Sequence, residues 1–181
     1  MRDNWQLFES AVTSEACEHM IQTFSKLPES QGSTFNNDQE HRKSKVRWVY
    51  NESHLIQMLL HYANLANATA FNVDIQQEMA EMQFTEYSAN CGGKYSWHHD
   101  VNWENSKNFD RKLSVVLQLS DPDTYKGGDF MFSEVQSPVE NQIRKQGSIL
   151  VFPSYLQHQV TEVTEGVRYS LVSWIRGPRW R

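Results

Sequence analysis

Cysteine is scarce in this chain: Cys17 and Cys91 are the only two in 181 residues. Two thiols cannot build a disulfide framework, and reduced thiols fit the cytoplasm, the expected location. Long hydrophobic runs are missing as well. No stretch approaches the roughly 18 apolar residues of a membrane span, so no membrane partner is expected. Met1-Arg2-Asp3-Asn4-Trp5-Gln6 lacks the basic-then-apolar layout of a signal peptide. There is no excess of basic charge either. A formal net charge of −5 argues against a nucleic-acid binder that works by broad phosphate neutralisation. Internal repeats, low-complexity tracts and linkers are absent, so residues 1–181 are expected to form one domain with a real core.

What is present reads as a soluble globular protein, with 39% hydrophobic and 22% charged residues, too rich in aromatics for a disordered chain. Residues 14–27 have helical spacing at Ala16, Cys17, Met20, Ile21, Phe24 and Leu27, with Ser14 as cap and Pro28 as stop. Residues 30–44 are polar, contain Gly32 and read as a loop, either a passive connection or a cover over a site. A strand is expected at 46–50. Ser53 then caps a second helix with Leu55, Ile56, Leu59, Leu60, Ala63 and Ala66 on one face. After Ala70 the pattern alternates. Strands are expected at 71–75, 82–87, 113–119, 129–132, 142–145, 148–152, 159–163 and 167–175, with Glu165-Gly166 as a turn. The expected fold is mostly β: a helical support over about 1–70 against a double-stranded β-helix, or jelly-roll, over about 71–178.

One stretch carries the chemistry, Tyr95-Ser96-Trp97-His98-His99-Asp100. Extended backbone places His98 and Asp100 on one face and His99 on the other. Two imidazoles and one carboxylate with an open half-sphere form the ligand set of a non-haem Fe(II) oxygenase site, and His158 is the candidate for the second imidazole. Zinc can occupy the same set, because affinity order alone does not select iron. His19, His41, His54 and His61 have no partners at ligand spacing and read as surface residues. Trp97 and Trp103 flank the motif as an entrance or as core, Trp48 reads as core, and Cys91 as an inert thiol. The polar insertion at 102–112 is either a substrate-contacting loop or solvated padding.

An ordered set of motifs extends this stretch: Tyr87 before Gly92-Gly93, Tyr95-x-x-His98-x-Asp100, Gly127-Gly128-Asp129-Phe130, Gly147, Phe152-Pro153-Ser154, His158, and Val163-Thr164-x-Gly166-x-Arg168. From Gln83 to Trp174 the chain resembles the Fe(II)- and 2-oxoglutarate-dependent dioxygenases of the prolyl 4-hydroxylase-like branch. The resemblance implies Fe(II) on His98, Asp100 and His158, with 2-oxoglutarate and O2 completing the site and ascorbate as reductant. It implies that Arg168 pairs with the far carboxylate of 2-oxoglutarate, for which a planar guanidinium fork is suited. Trp174 would line the cosubstrate pocket and Tyr87 would sit near the cosubstrate or iron. Arg168, Ser170, Val172 and Trp174 share strand parity and are expected on one side, on a strand adjacent to that of His158. Gln118 stands where related hydroxylases often carry a tyrosine, a departure at the last hydrogen bond to that carboxylate. Asp100 is retained where related halogenases have a small residue, which favours hydroxylation. The implied reaction couples decarboxylation of 2-oxoglutarate to succinate and carbon dioxide with C–H hydroxylation of a prolyl residue in a peptide or protein. A free amino acid, small molecule or nucleobase is the alternative substrate, and a jelly-roll metal- or ligand-binding module is the non-enzymatic alternative.

Overall fold

Alternating apolar and polar side chains drive most of the chain into antiparallel strands, and the computed structural model describes residues 3–31, 40–104 and 106–181. In chain order these are β1 (Gln6–Phe8), α1 (Ser14–Phe24), β2 (Ser30–Gln31), β3 (Arg42–Lys43), β4 (Lys45–Val49), α2 (Ser53–Ala66), β5 (Gln76–Ser88), β6 (Lys94–His98), β7 (Phe109–Gln118), β8 (Tyr125–Gly127), β9 (Phe130–Phe132), α3 (Glu140–Ile143), β10 (Ile149–Pro153), β11 (His158–Val160) and β12 (Val163–Pro178). Among the described residues the strands form two sheets. The large one runs β1-β10-β7-β12-β5-β4-β2 with β8 also on β12, and the small one runs β3-β6-β11-β9. This is the expected mostly-β jelly roll. The middle of the 30–44 stretch, residues 32–39, and position 105 of the 102–112 insertion lie outside the described residues.

The two faces of the large sheet do different work. On β7, Leu113, Val115 and Leu117 are fully buried toward α1 and α2, where Cys17, Met20, Phe24, Leu59 and Ala63 meet them. The intervening Ser114, Val116 and Gln118 point to the other face, toward the small sheet. There Tyr87, Leu150 and Phe152 of the large sheet pack with Phe130, Phe132 and Val160 of the small one. Burying each such side chain contributes about 1.5–3 kcal/mol. The helical layer therefore stiffens the sheet from behind and leaves its front face for the site.

Several local expectations differ from the structure. Thr13, not Ser14, caps α1, its hydroxyl accepting from the Ala16 amide at 3.3 Å. Glu52 precedes α2 without any side-chain cap. Residues 71–75 do not form a strand: α2 runs on through a π-helical turn, Asn67–Phe71, ended by Asn72 at φ 50°. The Asn67 side chain then exchanges two 2.8 Å hydrogen bonds with the Val73 backbone, supplying what a neighbouring strand would have offered. Residues 142–145 fall in and just after the single turn α3, because Ile143 is their only apolar side chain and alternation has nothing to act on. Glu165-Gly166 is no chain reversal. β12 continues through it with a register shift, and Gly166 is needed because a Cβ there would lie 2.1 Å from the Thr124 carbonyl oxygen of β8's approach. Consequently His158 and Arg168 do not sit on paired neighbouring strands; they face each other from different sheets.

Candidate active site

His98 ends β6 and His158 begins β11, and the two are register partners, so the fold pairs the imidazoles across adjacent strands. Asp100 lies just past β6, where its amide and that of Val101 both donate to the Ser154 carbonyl, at 3.0 and 3.3 Å. The ligand atoms of His98, Asp100 and His158 all lie within 4.8 Å of one another. His98 Nε2 is 3.7 Å from Asp100 Oδ1, and His158 Nε2 is 3.6 Å from Asp100 Oδ2. On the far side of each ring Nδ1–H donates to a carbonyl, His98 to Ser96 at 2.8 Å and His158 to Leu156 at 2.9 Å. That leaves both Nε2 lone pairs turned inward, the tautomer a metal requires. Tyr95 stacks on His98 at 3.4 Å and Phe130 on His158 at 5.3 Å, fixing ring planes. The carboxylate is fixed too: Ser114 Oγ donates to Asp100 Oδ2 at 2.6 Å and lies 2.9 Å from Ser154 Oγ.

Electrostatics keep the trio ready for a cation. Burial, reinforced by His158, pushes the His98 imidazole down to about 3, so it is neutral at pH 7. Burial alone would raise Asp100, but His158, His98, Arg111 and the Ser114 hydroxyl outweigh it and hold the carboxyl at about 2. Imidazole nitrogen lone pairs from His98 and His158, turned inward by the hydrogen bonds at Nδ1, and an ionised Asp100 carboxylate fit a divalent metal with open positions.

The triad opens into a cavity of about 230 Å³ between the sheets. Arg168, Ser170, Val172 and Trp174 all line it, the shared face of β12 that strand parity predicts. Arg168 is 4% exposed, and its Nη1 is buried with no hydrogen-bond partner among the described residues. A buried unpaired guanidinium nitrogen is costly and calls for an anion. This fits a carboxylate of 2-oxoglutarate reaching from the triad. Tyr87 is the register partner of Arg168 and lines the same cavity, its ring 5.6 Å from the guanidinium carbon. Trp174 Nε1 is likewise buried without a partner among the described residues.

Gln118 lies elsewhere. It is buried, does not line the main cavity, and donates through Nε2 to the Tyr125 hydroxyl at 2.9 Å. His99 departs from strand parity because β6 ends at His98; it reaches the cavity rim with Nδ1–H on the Tyr155 carbonyl at 2.7 Å, outside the triad. Trp48 is not core: half-buried, it lines the cavity 6.3 Å from Trp174. Trp97 and Trp103 are exposed at 37% and 53%, which removes the core reading for both. His41 is half-buried against Tyr95 rather than on the surface. Sequence reasoning missed Ser114, visible only as the polar phase of the β7 alternation. It also missed two cavity-lining arginines. Arg42 is held by Ser44 and Gln83 at 2.8 Å each, and Arg111 lies 3.8 Å over the Trp174 ring.

Comparison with known proteins agrees with this geometry. A PKHD-type hydroxylase of Prochlorococcus marinus is 31% identical over 141 residues, covering 78% of this chain and 59% of that protein. The chain thus spans less than two thirds of the length of that curated relative. The viral collagen prolyl hydroxylase of Paramecium Bursaria Chlorella virus-1 superposes with a TM-score of 0.72 at 15% identity, over 97% of both chains. A prolyl hydroxylase of Trichoplax adhaerens, solved with a hypoxia inducible factor peptide fragment, gives 0.74 at 16% identity over 95% of this chain and 83% of that one. At such identities the likeness speaks for the fold. The family model of the 2OG-Fe(II) oxygenases matches residues 82–176, just over half of the chain, and the chain belongs to the 2OG-Fe(II) oxygenase superfamily.

Proposed function

We propose that this protein is an Fe(II)- and 2-oxoglutarate-dependent dioxygenase that hydroxylates prolyl residues in a peptide or protein. One observation carries the reading: the His98–Asp100–His158 trio lines one cavity with Arg168, whose buried Nη1 has no partner among the described residues. His98 and His158 hold the metal through Nε2 and Asp100 through a carboxylate oxygen. Arg168 takes the far carboxylate of 2-oxoglutarate, with Tyr87 and Trp174 as walls. Bound there, Fe(II) with 2-oxoglutarate and O2 supplies the oxidising power for C–H hydroxylation, releasing succinate and carbon dioxide. The chain's own contribution is geometry and dryness. Tyr95 and Phe130 fix the imidazoles, Ser114 fixes the carboxylate, and Arg168 anchors the cosubstrate in a site largely shut from water.

The prolyl substrate is supported by the structural neighbours that are prolyl hydroxylases, one of them holding a peptide. Trp48 and Trp174 add an aromatic wall against which a pyrrolidine ring can pack. Ascorbate is proposed as the reductant that keeps the metal ferrous. A reducing cytoplasmic setting is proposed with it, supported by the two free thiols.

Incubation with Fe(II), 2-oxoglutarate, ascorbate and a panel of proline-containing peptides should give oxygen-dependent succinate and a product heavier by about 16 Da, one oxygen atom. Turnover confined to free amino acids or other small molecules would sink the prolyl assignment. Absence of oxygen-dependent succinate would favour a binding module.

A further inference from the structure

The face of β7 that looks into the site carries three successive positions: Ser114 at the metal trio, Val116 in the wall of the main cavity, and Gln118 beyond. Each step along this face is roughly 7 Å, two residues of strand. Gln118 is the register partner of Ser170, which lines the main cavity two residues from Arg168. At this end lies a second cavity of about 10 Å³, with Gln118, Ser148 and Arg168 as its polar walls. The two cavities share Val116, Phe130 and Arg168 as walls, so the small one adjoins the main one beside Arg168. Its size is close to that of a single water or methylene, about one 1.4 Å probe sphere. Gln118 is pinned in place by its 2.9 Å hydrogen bond to Tyr125, a residue 3% exposed. Arg168, by contrast, has Nη1 without a partner among the described residues, so the cation that receives the far carboxylate is not tied there at that nitrogen.

We propose that Gln118 sets the length of the 2-oxo dicarboxylate the pocket accepts, and that the pocket as built takes the six-carbon homologue 2-oxoadipate as well as 2-oxoglutarate. The inference rests on the cosubstrate reading above. The extra methylene is accommodated by the space between Arg168 and Gln118, and the longer acid keeps the same two anchor points, metal and guanidinium. A larger side chain at position 118 fills that space and a smaller one widens it.

Calorimetric titration of the full chain loaded with Mn(II), a stand-in for Fe(II), measures binding of each oxo acid without reliance on turnover. The quantity read is the ratio of the two dissociation constants, which cancels any general weakening in a variant. In the unaltered protein 2-oxoadipate should bind within about tenfold of 2-oxoglutarate, since one methylene in a pocket is worth about 10–200-fold where it does not fit. Gln118→Tyr should then raise discrimination against 2-oxoadipate by about tenfold or more, while Gln118→Ala should lower it below that of the unaltered protein. The proposal is overturned if the unaltered protein disfavours 2-oxoadipate by more than about tenfold, or if both folded variants leave the ratio within about twofold of it. Should one variant fail to fold, the other decides by its own direction. Failure of 2-oxoglutarate itself to bind the Mn(II) protein would overturn the cosubstrate reading, and this inference with it.

Discussion

At the scale of single residues, Ser114 does for Asp100 what the carbonyls of Ser96 and Leu156 do for the two histidines: it fixes the orientation of a ligand before the metal arrives. Such outer partners typically matter by about 10–100-fold in metal affinity. Ser114→Ala, which removes one buried hydroxyl and little volume, should therefore weaken Mn(II) binding in calorimetry by about that factor while the fold is kept. Unchanged affinity would show that the Ser154 contacts alone position the carboxylate. The same buried trio makes the metal-free protein sensitive to acid. His98 is lowered from 6.5 to about 3 and Asp100 from 3.8 to about 2. Both folded values lie below the unfolded ones, so the unfolded chain binds more protons and the stabilisation is present above the unfolded values. It is lost as pH falls from about 6.5 toward 3 for His98, and from about 4 toward 2 for Asp100. Urea denaturation of the chelator-treated protein should give a midpoint that drops between pH 7.5 and 4.5, and His98→Asn should flatten that fall. A flat profile in the unaltered protein would count against the buried neutral imidazole. His98 and Asp100 were legible because their residue types and close spacing are local properties, and Arg168 through the ordered motifs on which the family resemblance rests. Ser114 was not, and the Tyr125 partner of Gln118 was not either, since such contacts depend on which residue stands opposite in another strand.

Among the elements, β12 is the spine: it pairs with β5, β7 and β8 and carries Arg168, Ser170, Val172 and Trp174 to the cavity. Its continuity through Gly166 is what aims Arg168. That glycine sits at φ 70°, and a Cβ would meet the Thr124 carbonyl oxygen at 2.1 Å and the Tyr125 Cα at 3.1 Å. Backbone cannot step aside as a flexible side chain can. Gly166→Ala should cost about 2–4 kcal/mol in denaturant unfolding, combining left-handed strain with the clash. Gly92 is the matched comparison. Its φ is 63°, but the nearest atoms to an added Cβ are the Glu162 carboxylate group, at 3.5 Å. Gly92→Ala should cost about 1 kcal/mol, the conformational part alone. Equal losses would mean that close approach to β8 plays no part. Sequence signals captured α1, α2, β7 and β10 because burial on one face or both leaves a clear periodicity. They failed at Glu165-Gly166, where a glycine required for close approach is indistinguishable from a glycine required for a turn. They failed again at 71–75, where Asn67 satisfies backbone groups that no alternation could anticipate.

At the scale of the whole molecule, the site lies between the two sheets of the described residues, and its ligands would tie those sheets together. His98 and His158 belong to the small sheet and Arg168 to the large one, while Asp100 hangs from the Ser154 carbonyl that follows β10. A metal alone engages chiefly the small sheet and the Asp100 turn. A 2-oxo dicarboxylate held by both metal and Arg168 spans the gap, and it gains its second anchor only when the metal is present. Each ligand that binds only the folded state stabilises it by about 2.7 kcal/mol at a hundred times its dissociation constant. For a chain of this length that corresponds to a rise in Tm of about 5–10 °C per ligand. Differential scanning fluorimetry should show a clear rise with Mn(II), a further rise with Mn(II) and 2-oxoglutarate together, and little with 2-oxoglutarate alone. Arg168→Ala should keep the first increment and lose most of the second, because the metal trio is untouched while the anchor on the large sheet is gone. If 2-oxoglutarate raised Tm equally in that variant, the cosubstrate would be held by the metal alone. Arg168 would then need another anion to account for its buried, unpartnered nitrogen.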